Sequence, residues 1–378
     1  METPRRPRVL LLIPHLGGGG AERVTALLAR GLSRQKYELH LATIAQSHPV
    51  PESLPSHVTL HPLGARRVRG GALPLVRLVR RTRPDLILSG MAHLNFLVLL
   101  LRPFFPHATR VMVRQNSTAS AALRFGGLPW YTRALYRLLY PRADRVICQT
   151  AAMVDDLCAT IGVARGKLIA LPNPVEIEEI RARVAAEQAN LPAATDRDAG
   201  PRLLALGRLS KEKGFDLLLE ALAPVRRCFP SATVLIAGDG GEGPALKAQS
   251  LALGLQGAVR FAGHVAEIAK CFAGASVFVL CSRYEGLPNA LLEAAAAGLP
   301  IVALPSSRGV VDLLSGRPGV WLASEITAPA LADHLLAALR ALGPGERFAH
   351  SFIDSFRLER VVEAYENLID SVLSEAAR

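Results

Sequence analysis

Short apolar runs alternate with amphipathic stretches along the whole chain. In the first half the runs fall at 8–14, 37–44, 85–89, 110–113, 145–148 and 167–171. Each is too short for a helix, and a segment of helical spacing follows most of them, which predicts parallel strands joined by crossover helices. After LPNPV at 171–175, a charged helix and the loop LPAATDRDAGP at 191–201 supply the Pro, Ala, Asp and Gly of a linker. The strand pattern then restarts at 202–206, 233–237, 259–261, 277–281, 300–303 and 319–322. The fold class expected is therefore α/β, with two Rossmann-like, doubly wound domains at 1–173 and 201–354 and a linker region at 174–200. A last helix is expected from about 355, with Leu358, Val361, Val362, Tyr365, Leu368, Ile369 and Val372 on one face. Open parallel sheets bind ligands beyond the carboxyl ends of their strands, so two such domains facing each other across a cleft would place the chemistry at strand ends.

The longest apolar stretch, 94–101, is far shorter than the roughly 20 residues of a membrane-spanning helix. The basic then apolar start is like a signal peptide, but Ile13-Pro14 closes the run and glycines follow, so it reads as a buried strand. With half of its 378 residues hydrophobic and a fifth charged, the chain is neither disordered nor a small disulfide scaffold. Its five cysteines are scattered without a C-x-x-C pair, as expected in a reducing cytoplasm, and its ten histidines show no metal-ligand spacing.

Charge changes this picture. Residues 1–172 hold 24 Lys and Arg against 8 Asp and Glu, a net of +16, whereas the remainder is negative at 20 against 24. An anionic partner for the first half follows. Arginines cluster at 66–83, and in 123–142 Trp130, Tyr131, Tyr136 and Tyr140 interleave with Arg124, Arg133, Arg137 and Arg142. Rings mixed with cations suit an anionic membrane surface. The alternative is a solvated helix whose aromatics pack inward, and no nucleic-acid module accompanies the charge.

Three strand ends carry candidate chemistry. GGGGAER at 17–23 lets backbone approach a ligand and offers helix-start amides to an anion, although glycine also serves as a plain turn residue. LALGRLSKEKGFD at 204–216 puts Arg208 and Lys213 between a strand and a helix, where two cations could hold a diphosphate or be merely solvated. SRYEGLPNALLEAAAAG at 282–298 sets Glu285 in a turn, Pro288 at the first helical position and Glu293 inside the helix. Amides of Asn289 and Ala290 would face phosphate oxygens, and Glu293 could accept two hydrogen bonds from a ribose diol.

With Arg208, Lys213 and the seven-residue gap between Glu285 and Glu293, the chain resembles the family 4 retaining glycosyltransferases of the GT-B fold. GGAERV, LPNPV, GRLSKEKGFD, GDG and EGLPNALLEA stand in that family's order, so the resemblance covers nearly the whole chain. It implies that the second domain binds a nucleotide sugar, that the first domain binds the acceptor and receives the final helix, and that no metal or other cofactor is needed. Carried over by position, Arg208 and Lys213 neutralise the departing diphosphate and Glu285 contacts donor-sugar hydroxyls. Glu293 holds the ribose, Asn289 and Ala290 act through backbone amides, Gly19 and Gly20 complete the donor pocket, and His264 and Val265 meet the base.

Two departures stand out. Where many relatives carry a His after the fifth strand, RVMVRQNST at 110–118 offers Gln115 or Asn116, neither of them a base near neutral pH. His93, after the preceding strand, is the other candidate on the acceptor side. Where relatives place a Glu in the stretch 305–314, Asp312 is nearest. The resulting expectation is a hexosyl or N-acetylhexosaminyl transfer from a UDP-sugar to an anionic lipid-linked or envelope glycan, by a protein peripheral to the inner face of the cytoplasmic membrane. Two alternatives stay open: a soluble GDP-mannose- or UDP-sugar-dependent transferase acting on a small phosphorylated acceptor, and a non-catalytic transferase-like subunit.

Overall fold

The computed structural model describes residues 5–17, 19–45, 54–125, 129–190 and 200–375. The chain divides into two compact units, one of residues 1–174 with 358–378 and the other of residues 175–357.

The first unit is built on seven parallel strands: β1 (Arg8–Ile13), β2 (Glu38–Thr43), β3 (Thr59–Pro62), β4 (Leu86–Ser89), β5 (Arg110–Gln115), β6 (Arg145–Cys148) and β7 (Leu168–Ala170), in the order β3-β2-β1-β4-β5-β6-β7. In β1 five consecutive residues are buried, because a parallel sheet covered on both faces needs apolar side chains at every position, not alternate ones. Two apolar layers result. One contains Leu10, Leu12, Ile87 and Val111; the other contains Val9, Leu11, Leu86 and Met112.

The helix Leu358–Ser374 closes the second layer through Val361, Val362, Tyr365, Ile369 and Val372. It is tied to the loop before β2: Glu366 accepts from the Ser33 amide at 2.8 Å and from Lys36 Nζ at 2.7 Å, while the Tyr37 hydroxyl donates to Asp370 at 2.5 Å.

The second unit carries six parallel strands: β8 (Arg202–Leu206), β9 (Thr233–Ala237), β10 (Val259–Gly263), β11 (Val277–Leu280), β12 (Ile301–Ala303) and β13 (Val320–Leu322), ordered β10-β9-β8-β11-β12-β13. The stretch 174–200, expected as a linker region with a charged helix, begins with that helix. Residues Ile177–Ala189 form a helix of this unit, burying Ile177, Ile180 and Val184 against Phe272, Phe278 and Leu291. Most of the expected loop, 191–199, lies outside the described residues.

In each sheet the connections reverse direction beside the first strand, between β1 and β4 and between β8 and β11. Such a switch point splays neighbouring loops apart at the carboxyl ends of the strands and leaves a crevice there. Among the described residues no helix is long and apolar enough to cross a membrane.

Candidate functional site

At the switch point of the second unit, the loops after β8 and β11 lock together. Lys213 Nζ meets Glu285 Oε1 at 2.5 Å, and the Ser282 hydroxyl donates to the same oxygen at 2.8 Å. Glu285 Oε2 carries no hydrogen bond among the described residues and stays available. Backbone contacts set this geometry. The Arg283 amide donates to the Glu212 carbonyl at 2.8 Å, the Glu285 amide to the Ser306 carbonyl at 3.2 Å, and the Cys281 thiol to the Lys213 carbonyl at 3.2 Å. Burial pushes the Cys281 thiol up to about 12, so it stays a donor rather than a nucleophile.

Below the pair, Arg283 grips Asp216 with two bonds of 2.7 and 2.6 Å. Burial raises an acid's pKa, but the Arg283 bonds outweigh it and hold the Asp216 carboxyl below the usual range. Gly214, at φ +64°, lies where a side chain would collide with the Cys281 carbonyl. Only glycine lets the two loops approach this closely.

The structure thus joins Lys213 and Glu285, which the sequence assigned to diphosphate and sugar separately. Arg208 is exposed on the same β8 loop, and its guanidinium makes no hydrogen bond or ion pair among the described residues. Pro288 is corrected by one position: it caps the helix Asn289–Ala296 and does not begin it, with its carbonyl accepting from Leu291 at 3.2 Å. Asn289 and Ala290 are consequently the first two helical residues, whose amides point out of a helix start. Glu293, one turn on, is buried among Leu291, Leu292 and Ala294. His264 is exposed and Val265 half-buried just after β10, the edge strand. Asp312 is paired with Arg308 at 3.7 Å, both exposed on the helix Arg308–Leu314.

In the first unit Gly19 caps the helix Gly20–Gly31, and a side chain on Gly19 would collide with the buried carboxylate of Glu22. The helix start expected to receive an anion therefore already faces one of the protein's own. His15 stands 3.6 Å from Glu22 through Nε2, while its Nδ1 accepts from the Gly17 amide at 3.1 Å. His93 senses both groups. Crowding by protein lowers its pKa, Glu22 opposes that and His15 adds to it, leaving a net shift below the usual imidazole range although the residue reaches the surface.

Gln115, expected on the acceptor side, is turned into the core. It is 1% exposed and its amide is used inside the core: Nε2 donates to the Ser117 carbonyl at 2.9 Å and to the Tyr136 hydroxyl at 3.1 Å, and Oε1 accepts from Tyr140 at 2.6 Å. Asn116 is half-exposed but committed at both ends, accepting from Arg114 at 2.7 Å and donating to the Gly90 carbonyl. Sequence reading missed Arg114, Ser282 and the Arg283–Asp216 pair. The last two lay in stretches already singled out, where an acid and a base flank the two loops. Arg114 is 2% exposed in β5, with no signal in the local pattern.

The basic aromatic stretch divides in two. Tyr136 and Tyr140 pack inward against Phe96. Trp130 is 92% exposed, and Phe125, Tyr131 and Leu138 are exposed with it, beside Arg124, Arg133 and Arg137.

Residues 18–179 match the family described as Glycosyltransferase Family 4, and residues 200–341 the one described as Glycosyl transferases group 1. The chain is 28% identical over 316 residues to the N-acetylgalactosamine-N,N'-diacetylbacillosaminyl-diphospho-undecaprenol 4-alpha-N-acetylgalactosaminyltransferase of Campylobacter jejuni, covering 80% of this chain and 82% of that protein. It is 26% identical to the lipopolysaccharide core biosynthesis glycosyltransferase LpsE of Rhizobium meliloti, over 79% of each chain. Among solved structures, Anabaena HepE in complex with UDP and glucose superposes with a TM-score of 0.77 at 20% identity, over 96% of this chain and 99% of that one.

Proposed function

The chain belongs to the family 4 glycosyltransferases and has their GT-B fold, and from that premise we propose that it moves a hexosyl or N-acetylhexosaminyl group, with retention, from a UDP-sugar to a lipid-linked or envelope glycan acceptor at the cytoplasmic membrane face. The observation that carries this reading is the Lys213–Glu285–Ser282 contact at the β8/β11 switch point, with Arg208 unpaired on the same loop. Two cations stand where a leaving diphosphate would gain charge, and their preorganised field is what lowers the barrier.

Glu285 offers its Oε2 to donor-sugar hydroxyls, with its other oxygen fixed by Lys213 and Ser282. Glu293 takes the ribose, the amides of Asn289 and Ala290 take phosphate oxygens, and the His264–Val265 backbone takes the base. No metal is required in this scheme.

The reaction is a front-face displacement. The acceptor oxygen bonds to the anomeric carbon as the bond from that carbon to the phosphate oxygen breaks, and the acceptor proton passes to the leaving phosphate. Gln115 is turned into the core, and neither it nor Asn116 can take a proton. The acceptor class is supported by the names of the Campylobacter and Rhizobium relatives, and UDP by the HepE complex. Trp130, Tyr131 and Phe125 among arginines support contact with an anionic membrane surface.

The test is calorimetric titration of the purified chain with UDP, GDP and ADP without metal, repeated for UDP with Glu293→Ala. UDP binding lost in the variant is the expected result. Absence of binding by all three nucleotides would overturn the reading.

A further inference from the structure

The first unit holds a polar cavity at the amino ends of its strands, the other end of the sheet from the loops described above. Its walls come from segments that lead into strands: Arg102 and His107 before β5, Arg142 and Asp144 before β6, and Lys167 before β7. Its volume is about 440 Å³.

The charges in it do not balance. Asp144 is the single acid of the lining, and it is fully used. It takes Arg102 at 2.8 Å, Arg110 at 3.3 Å and the Val111 amide at 2.7 Å. Burial alone would raise its pKa, but the bonds to Arg102 and Val111 hold the carboxyl below the usual range, so it stays ionised. One negative charge is thereby shared between two guanidinium groups.

Lys167 makes no ion pair among the described residues. Its ammonium donates to the Pro141 carbonyl at 2.5 Å and the Ala143 carbonyl at 2.9 Å, which aims it at the cavity and leaves its third N–H over. Arg142 is exposed and makes no side-chain hydrogen bond or ion pair among the described residues. A fixed ammonium, a free guanidinium and an imidazole at one mouth form a receptor for a compact, multiply charged anion. Close by along the chain, Leu100 and Phe104 are each 55% exposed on the segment that carries Arg102, and Leu138 is 61% exposed four residues before Arg142.

We propose that this cavity is a phosphate-binding site, separate from the donor site, that takes a phosphomonoester or diphosphate either free or on a lipid headgroup. It requires nothing of the donor assignment, since every residue in it belongs to the first unit and to the other end of the sheet.

Inorganic pyrophosphate is the probe, titrated calorimetrically into the full chain without metal in an Arg208→Ala/Lys213→Ala background, so that the cations assigned to the donor are gone. Binding is expected to persist there and to weaken about tenfold or more when Arg142→Glu is added, as when a charge-assisted partner is lost. Lys167→Gln should weaken it as well. Melting of Arg142→Glu at the parent temperature shows the fold to be intact, and if that variant melts early, Arg142→Ser serves instead. No pyrophosphate binding in this background, or binding indifferent to both Arg142 and Lys167, overturns the proposal. Flotation with phosphatidylcholine vesicles, with and without phosphatidic acid, identifies the source. Recovery that falls with Arg142→Glu only when phosphatidic acid is present points to a lipid headgroup, and unchanged recovery alongside lost pyrophosphate binding points to a soluble phosphate.

Discussion

Gly214→Ala tests how the two loops of the proposed donor site are held. Gly214 sits at φ +64°, between the turn Lys211–Lys213 and the helix Phe215–Cys228. A non-glycine residue pays roughly 1–2 kcal/mol for that left-handed conformation. The added methyl would also collide with the Cys281 carbonyl, a backbone atom at the end of β11 that cannot rotate aside. Such overpacking costs about 1–3 kcal/mol. The combined penalty of about 2–5 kcal/mol corresponds to a fall of about 4–20 °C in the melting temperature of a unit of this size.

The collision can be relieved only by moving the 211–214 turn away from 281–285. That motion breaks the Arg283–Glu212 and Cys281–Lys213 contacts and parts Lys213 from Glu285. Thermal melting should therefore show the destabilisation, and UDP calorimetry a weakened affinity, while Lys213→Ala loses the pair without the backbone shift. A variant that melts within about 1 °C of the parent and binds UDP equally well would refute the argument that this glycine sets the loop spacing.

Three further outcomes follow from the same geometry. Arg208→Ala and Lys213→Ala should each lower turnover by about 100-fold or more, as expected for removing a preorganised charge partner, measured as UDP release from a UDP-sugar and acceptor. Gln115→Leu strands the Tyr136 and Tyr140 hydroxyls in the core and should cost about 1–3 kcal/mol in denaturant melts, with turnover at the parent level; unchanged stability with lost turnover would return Gln115 to the site. Asp144 and Asp216 have depressed pKa values, so the stability they contribute is complete above the unfolded carboxyl value of about 3.9 and is lost as pH falls below it. Urea melts between pH 5 and 3 should steepen accordingly, and Asp144→Asn should flatten the slope.

The strands were legible because buried parallel strands are written as short, uninterrupted apolar runs, and β6, β8 and β9 coincide with the runs at 145–148, 202–206 and 233–237. β3 was not. It is four residues long, ends in proline, is mostly accessible and has β2 as its one partner, so neither hydrophobic run nor alternation marks it. At Ile177–Ala189 a charged helix was expected and a helix stands there, but only the thin stripe of Ile177, Ile180 and Val184 marks it as packed within the second unit. Within the site, residue types and their placement after strands were readable, but the directions of side chains were not. Both faces of β5 are buried, so no pattern distinguishes a terminal Gln115 turned into the core from one turned outward. Likewise the Lys213–Glu285 pair joins residues 72 apart, a contact made by the sheet order and invisible to spacing along the chain.

The closing helix Leu358–Ser374 makes the second unit an insertion within the first. During synthesis the seven-stranded sheet leaves the ribosome early, yet Tyr37, Ser33 and Lys36 must wait some 330 residues for Glu366 and Asp370. Meanwhile the whole of residues 175–357 is made and can fold on its own contacts. The first unit to emerge is thus the last to be completed. Until then the apolar layer of Val9, Leu11 and Leu28 lacks its cover. Chains cut short by even these last turns would carry a finished second unit attached to an open, aggregation-prone sheet.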